Sequence, residues 1–139
     1  MAEAEGIPPT ASTASAGLGI SYLGEHTYSY SGEIVQSGSL QTMLEFTTGA
    51  GYIVSKMFLS GAVAPGGSGA GTITSFMFEL NDISILDFKV DTGEEDSPMS
   101  VWCPILIPPF TKVKLTCVSL GADGSRFTTA CIIGRVYDA

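Results

Sequence analysis

Residues 100–139 read SVWCPILIPPFTKVKLTCVSLGADGSRFTTACIIGRVYDA, apolar and β-branched runs interrupted only by Pro108-Pro109 and Gly121-Ala-Asp-Gly124. Neither proline can donate to a strand ladder, and the Gly-Ala-Asp-Gly segment has turn chemistry. The stretch therefore predicts three consecutive strands over Val101–Ile107, Phe110–Leu120 and Arg126–Tyr137. In the middle strand Val113, Leu115 and Cys117 share the inward side, while Lys112, Lys114 and Thr116 share the outward side. Trp102, inside VWCPILI, reads as core. A chain that ends in a buried strand closes its fold on its C-terminus.

The segments upstream obey the same period of two. Leu40 to Thr48 places Leu44 and Phe46 on one face with Glu45 opposite, and Thr-Gly-Ala-Gly at 48–51 supplies a turn. Tyr52 to Val63 is a continuous apolar strand, followed by the glycine-rich loop 64–71. That loop lacks the Lys-Ser/Thr of a phosphate-binding loop and reads as a hairpin connection. Thr72 to Val90 predicts a hairpin around Asn81-Asp82, residues that tolerate the positive φ of a two-residue turn. Its simplest register sets Leu80 against Ile83, Phe78 against Ile85 and Met77 against Leu86, leaving both faces partly apolar. Asp87 then sits awkwardly on the first face and suggests a bulge. Tyr22 to Tyr30, aromatic and polar by turns, suits an edge strand. Residues 1–20 hold too little apolar area to offset their ordering entropy and read as a flexible arm, with a single domain over 21–139.

Composition limits the function. Charged residues make up only 14% of the chain against 45% hydrophobic, so much of the surface is Ser, Thr, Gly or apolar and suits burial against other proteins. Six Lys and Arg against fourteen Asp and Glu give a net charge of -8, which disfavours nucleic acid as a partner. No run reaches the roughly 18 apolar residues of a membrane span, and no signal-peptide core follows the acidic Met1-Ala-Glu-Ala-Glu5, so synthesis in a cytoplasm is expected. Cys103, Cys117 and Cys131 are odd in number, widely spaced and set in apolar runs, so they read as buried free thiols. Asp91, Glu94, Glu95 and Asp96 are hard donors, but their spacing matches no calcium loop and they read as a solvated acidic segment.

The chemistry of catalysis is thin. His26 is the one imidazole, and Glu45, Glu79 and Asp87 occupy ordinary outward strand positions, so neither a nucleophile–base pair nor a carboxylate dyad is expected. The chain is expected not to be an enzyme and to need no metal or cofactor. About eight strands without helices predict an all-β, antiparallel two-sheet β-sandwich, most simply a jelly roll, with a flexible N-terminal arm.

Several strings carry a resemblance: Tyr28-Ser-Tyr-Ser-Gly-Glu33, Thr42 through Val54, Leu80-Asn81, Ile107-Pro-Pro-Phe-Thr-Lys-Val113 and Gly134-Arg-Val-Tyr137. Over residues 28–137 the chain resembles small β-sandwich virion proteins of tailed bacteriophages, of the capsid-decorating or cement type. The resemblance implies a protein on the capsid exterior, commonly a trimer, that clamps neighbouring copies of a major capsid protein. On that expectation Tyr22, Tyr28 and Tyr30 contact the shell or a neighbouring subunit, and Phe76, Phe78, Leu86 and Phe88 form the subunit interface. The alternative is a receptor- or carbohydrate-binding head of a phage fibre or spike, with Trp102, Tyr22, Tyr28 and Tyr52 as the aromatic candidates.

Overall fold

Turn-forming residues cut the chain into segments too short and too β-branched for helices, and each segment pairs as a strand. The computed structural model describes residues 19–61, 73–91, 99–120 and 127–138. The expectations for the arm up to residue 18, the glycine-rich loop, the acidic segment beyond Asp91 and the Gly121–Gly124 turn lie outside them. Among the described residues there are ten strands and no helix: β1 (Ser21–Leu23), β2 (His26–Tyr30), β3 (Ile34–Val35), β4 (Gln41–Thr47), β5 (Tyr52–Gly61), β6 (Ile73–Leu80), β7 (Ile83–Asp91), β8 (Met99–Ile107), β9 (Lys112–Leu120) and β10 (Phe127–Tyr137).

All pairings are antiparallel. One sheet runs β1-β2-β10-β5-β8, with the short β3 also against β10, and the other runs β4-β9-β6-β7. The pairs β2·β10, β4·β9, β5·β8 and β6·β7 are successive rungs of one long ribbon folded over itself. The joins β10·β5 and β9·β6 are where the fold closes. That order is a jelly roll, as the sequence predicts. The closing strand, β10, sits inside the first sheet with partners on both sides. Tyr22 to Tyr30 is not a single edge strand: Gly24, at φ +61, turns it into the β1–β2 hairpin, and only β1 is at the edge.

The inner faces of the two sheets make the core. Ile53, Met57, Leu59, Ile107 and Ile132 of the first sheet meet Leu44, Phe76, Phe78, Val113 and Leu115 of the second, all essentially inaccessible to water. Truncating one of the large ones, such as Phe76, to alanine costs about 3–5 kcal/mol. Ile20 belongs to this core, so the ordered domain includes a residue assigned by sequence to the arm.

The β6–β7 hairpin turns at Asn81 and Asp82, with φ +51 and +64 as expected, but its register differs from the simple one. Leu80 faces Ile83 and Glu79 faces Ser84, then the pairing skips Ile85, so that Phe78 faces Leu86, Met77 faces Asp87 and Phe76 faces Phe88. The extra residue moves Asp87 to the outer face and gathers Phe76, Phe78, Leu86 and Phe88 on the inner one. A similar irregularity in β4 between Thr42 and Leu44 lets Met43 and Leu44 both be buried.

Two turns at one end of the sandwich are locked together. Thr48 N–H donates to Thr111 O (2.9 Å) and Phe110 N–H to Gly49 O (2.8 Å). The Thr48 hydroxyl accepts from Thr111 N–H (2.9 Å) and donates to Pro108 O (2.8 Å). The lock holds Phe110 at φ +50, a conformation that costs a bulky residue about 1–3 kcal/mol.

β10 lies close against β5 at Gly134. A Cβ there would stand 2.6 Å from Ser55 Cβ and 2.8 Å from Val54 O, a backbone atom that cannot swing away. Gly134→Ala is therefore expected to destabilise the domain by about 1–3 kcal/mol. An unchanged thermal midpoint would show that the β5–β10 pair can part at no cost.

The three cysteines are free, but only Cys117 is buried; Cys103 and Cys131 are half-buried, since each lies next to a surface. Burial pushes the Cys117 thiol up to about 11. The folded chain keeps a proton that the unfolded chain loses near pH 8.5–9, so this contribution is full below that range and is lost as pH rises through 11. Burial raises the Tyr22 phenol in the same sense. Urea unfolding is expected to weaken by about 2 kcal/mol more between pH 8 and 11 in the native chain than in Cys117→Val. Superimposable pH profiles would overturn the shielding of this thiol.

Candidate interaction surface

In a sheet every second side chain points away from the core, so a strand apolar in both parities covers two surfaces. β5, β8 and β10 are such strands. Their outward residues, with those of β2, line up in rows across the first sheet. One row is Tyr30, Cys131, Phe58 and Trp102, the next is Tyr28, Ile133, Lys56 and Pro104, and the third is His26, Arg135, Val54 and Leu106. Tyr137 opposite Tyr52 begins a fourth. From strand spacing and rise, three rows across four strands cover on the order of 400 Å², mostly apolar but crossed by His26, Lys56 and Arg135, within the range of the largest patch a monomer shows, which is often functional.

The patch is built of paired rings, one pair tilted and one stacked, as much as of aliphatic groups. Phe58 and Trp102 have ring centroids 4.7 Å apart at 55°, and Tyr52 and Tyr137 lie 5.5 Å apart at 21°. Trp102 remains 57% exposed and Leu106 60% exposed. Trp102 is thus a surface residue, contrary to its sequence reading, because β8 presents its even-numbered residues outward. Beside it Lys56, Trp102, Cys103 and Pro104 line an open, mostly apolar cleft of about 350 Å³.

The charges on this face are cationic. Lys56 stands in the middle row, and Arg135 lies over the Tyr137 ring (5.6 Å to its centroid) while pairing with Glu25 of the β1–β2 turn. The hydrogen bond and charge of Glu25 hold the Arg135 guanidinium above its ordinary pKa. His26 is exposed at the end of the third row, across from Arg135. Among the described residues no three His, Cys, Asp or Glu side chains gather as they would around a metal ion.

The second sheet's outer face is of another kind. Glu45 opposes Lys114 (3.9 Å), Glu79 flanks Lys114 from β6, and Asp87 and Lys89 stand along β7. Ile73, Met77 and Val118 are scattered among these charges, and Ile83 and Ile85 are exposed beside the β6–β7 turn, single apolar residues of the kind a solvated surface carries. Thr116, expected to point to solvent, does face outward but is buried between Thr42 and Met77.

Tyr28 and Tyr30 are exposed on the apolar face, as expected of contact residues, whereas Tyr22 is half-buried against the core. Phe76 and Phe78 cannot form a subunit interface: they are core residues with at most 1% exposure. Leu86 and Phe88 are partly buried against the same core. The bulge at Ile85 is the reason. The residues that sequence reasoning missed are Val54, Phe58, Leu106 and Ile133, and their signal was the unbroken apolar character of Tyr52–Leu59, Val101–Ile107 and Ala130–Ile133.

A chain of the T13 viral particle of IBDV matches this jelly roll with a TM-score of 0.50 at 11% identity, over 81% of this chain and 31% of that one. The two share the jelly-roll fold. Infectious bursal disease virus of the Gx strain gives a TM-score of 0.44 at 15% identity, over 78% of this chain and 30% of the viral one. A family 35 carbohydrate-binding module from an environmental isolate gives 0.39 at 12% identity, covering 100% of this chain and 90% of the module. The chain spans less than a third of the length of the viral-particle chains it matches. No protein-family model and no curated protein matches it.

Proposed function

We propose that the protein is a structural virion component, a jelly roll that docks by the outer face of its β2-β10-β5-β8 sheet and turns its charged second sheet to solvent. The observation that carries this reading is the contrast between the two outer faces. A domain that functions alone in water has no use for three rows of exposed rings and aliphatic groups, whereas a decorating subunit needs one face for the shell and one for the medium. In its fuller form the chain decorates a capsid exterior, binds between copies of a major capsid protein and associates as a trimer. Each contact is weak, but symmetry repeats it around the particle. No catalytic step and no cofactor enter the reading.

Support also comes from the jelly-roll fold shared with the viral-particle chain and the low charged content. A second reading, a carbohydrate- or receptor-binding head, is favoured by one observation, the exposed Trp102 beside Phe58 above an open cleft. A glycan that shifts Trp102 emission saturably would establish it.

Val54→Glu combined with Ile133→Glu tests the docking face. Each carboxylate arises next to a cation, Arg135 or Lys56, so the fold is expected to keep its stability within about 0.5 kcal/mol. Occupancy on particles, read from reconstructed density or particle mass, is expected to fall at least tenfold. Full occupancy of this variant, with loss instead in Glu79→Lys/Asp87→Lys, would assign docking to the other sheet.

A further inference from the structure

Phe110 is a second apolar feature that the docking face does not absorb. It stands at the end of the sandwich where the β4–β5, β6–β7 and β8–β9 turns gather, and it is 72% exposed. Pro108-Pro109 restricts the chain before it, and the lock between the Thr48 and Thr111 turns fixes the backbone beneath it. Thr111 adds a further bond from its hydroxyl to Pro109 O (3.0 Å). A phenyl ring held out in water in a left-handed conformation contributes nothing to the isolated chain. The same ring is preorganised to fill a partner's cavity, because its loop loses little freedom on binding.

The cleft beside Trp102 has matching properties. It is mostly apolar, roomy enough for a phenyl ring, and lined in part by the Trp102 indole, which a second ring can pack against. Its one charged lining residue is Lys56, which makes no ion pair among the described residues. The turn adjoining Phe110 carries an acid: Asp82 pairs with Lys112 at 3.2 Å, and the neighbouring Asn81 is bonded to the Lys112 backbone in both directions, at 2.8 and 2.9 Å. Ring and acid, on two neighbouring turns at one end of the sandwich, thus match cleft and ammonium on the first sheet, where Lys56 would share an acid that now pairs with Lys112. The chain's own Phe110 does not fill its own cleft, since the ring is open to solvent.

We propose that Phe110 of one copy seats in the Lys56–Trp102–Pro104 cleft of a second copy, with Asp82 brought toward Lys56. Knob and hole lie on different parts of the molecule, so the contact is head-to-tail and, unless a second contact reciprocates it across a two-fold axis, closes into a ring or extends. The proposal rests on the docking-face reading in treating this sheet as adhesive, with the cleft at its β5–β8 edge given to a second copy and the rest of the face to the shell, and its test separates the two.

Two variants, Asp82→Cys and Lys56→Cys, are each made with Cys103 and Cys131 replaced by serine. On mixing under mild oxidation with copper phenanthroline and air, they are expected to form a disulfide-linked pair that neither forms alone. The native chain supplies an independent signal, because Trp102 is its single tryptophan. Its emission is expected to move to the blue as concentration rises and the mass increases, and Phe110→Ser is expected to raise the concentration needed at least tenfold. Cross-linking by either variant alone, no cross-linking in the mixture, or native association that Phe110→Ser leaves unchanged would each overturn the proposal. If particle occupancy still falls in Val54→Glu/Ile133→Glu, the docking face stands without the knob. A native chain that remains monomeric at millimolar concentration with unshifted Trp102 emission also sinks the knob-in-cleft contact.

Discussion

The double pairing of β10 is the constraint on which the molecule depends. This strand donates and accepts along both edges, to β2 and β3 on one side and to β5 on the other, and so ties the first described strands to the middle of the chain. Its inward residues Ala130, Ile132 and Val136 fill the floor of the core, and Gly134 lets β5 pass close. Every row of the apolar outer face crosses β10. Register fixed here therefore fixes which side chains stand together on the outer surface.

That dependence explains why one sheet face is rich in rings. Strands paired on both sides favour β-branched and aromatic residues on whichever face they present, so β5 and β10 gain backbone order from residues that are also adhesive. The second sheet takes the other solution. Its outward positions carry Glu45, Lys114, Glu79 and Asp87, which keep that face hydrated while its inner residues hold the core. A chain of net charge -8 that places Lys56 and Arg135 on its apolar face is also locally attractive to acidic surfaces, its own included.

Much of the fold was legible because period-two patterning and turn residues are local signals. Phe110–Leu120 and Arg126–Tyr137 became β9 and β10 within two residues, and Asn81-Asp82 took the left-handed conformations that their side chains tolerate. What was illegible depended on partners. A single extra residue at Ile85 decided whether Phe78 met Ile85 or Leu86; Asp87, misplaced in the simple register, signalled that the hairpin bulges but not at which residue. Trp102 shows the same limit from the other direction. In VWCPILI both parities are apolar, so the face that became the core was set by the strands across the sandwich and not by the run. The candidate surface was less readable still, since its rows join residues from four strands far apart in the chain.

The long edge strands carry a further consequence. β8 has Pro104 in its middle, β7 the extra residue at Ile85, and β4 the irregularity at Met43. Proline offers no N–H, and a bulge puts the edge out of step with any straight partner, so none of the three edges presents an unbroken ladder to a stray strand. Copies crowded at high concentration are thereby kept from fusing edge to edge into irreversible fibres. Contacts through faces and turns can come apart again, so any association of this chain stays reversible.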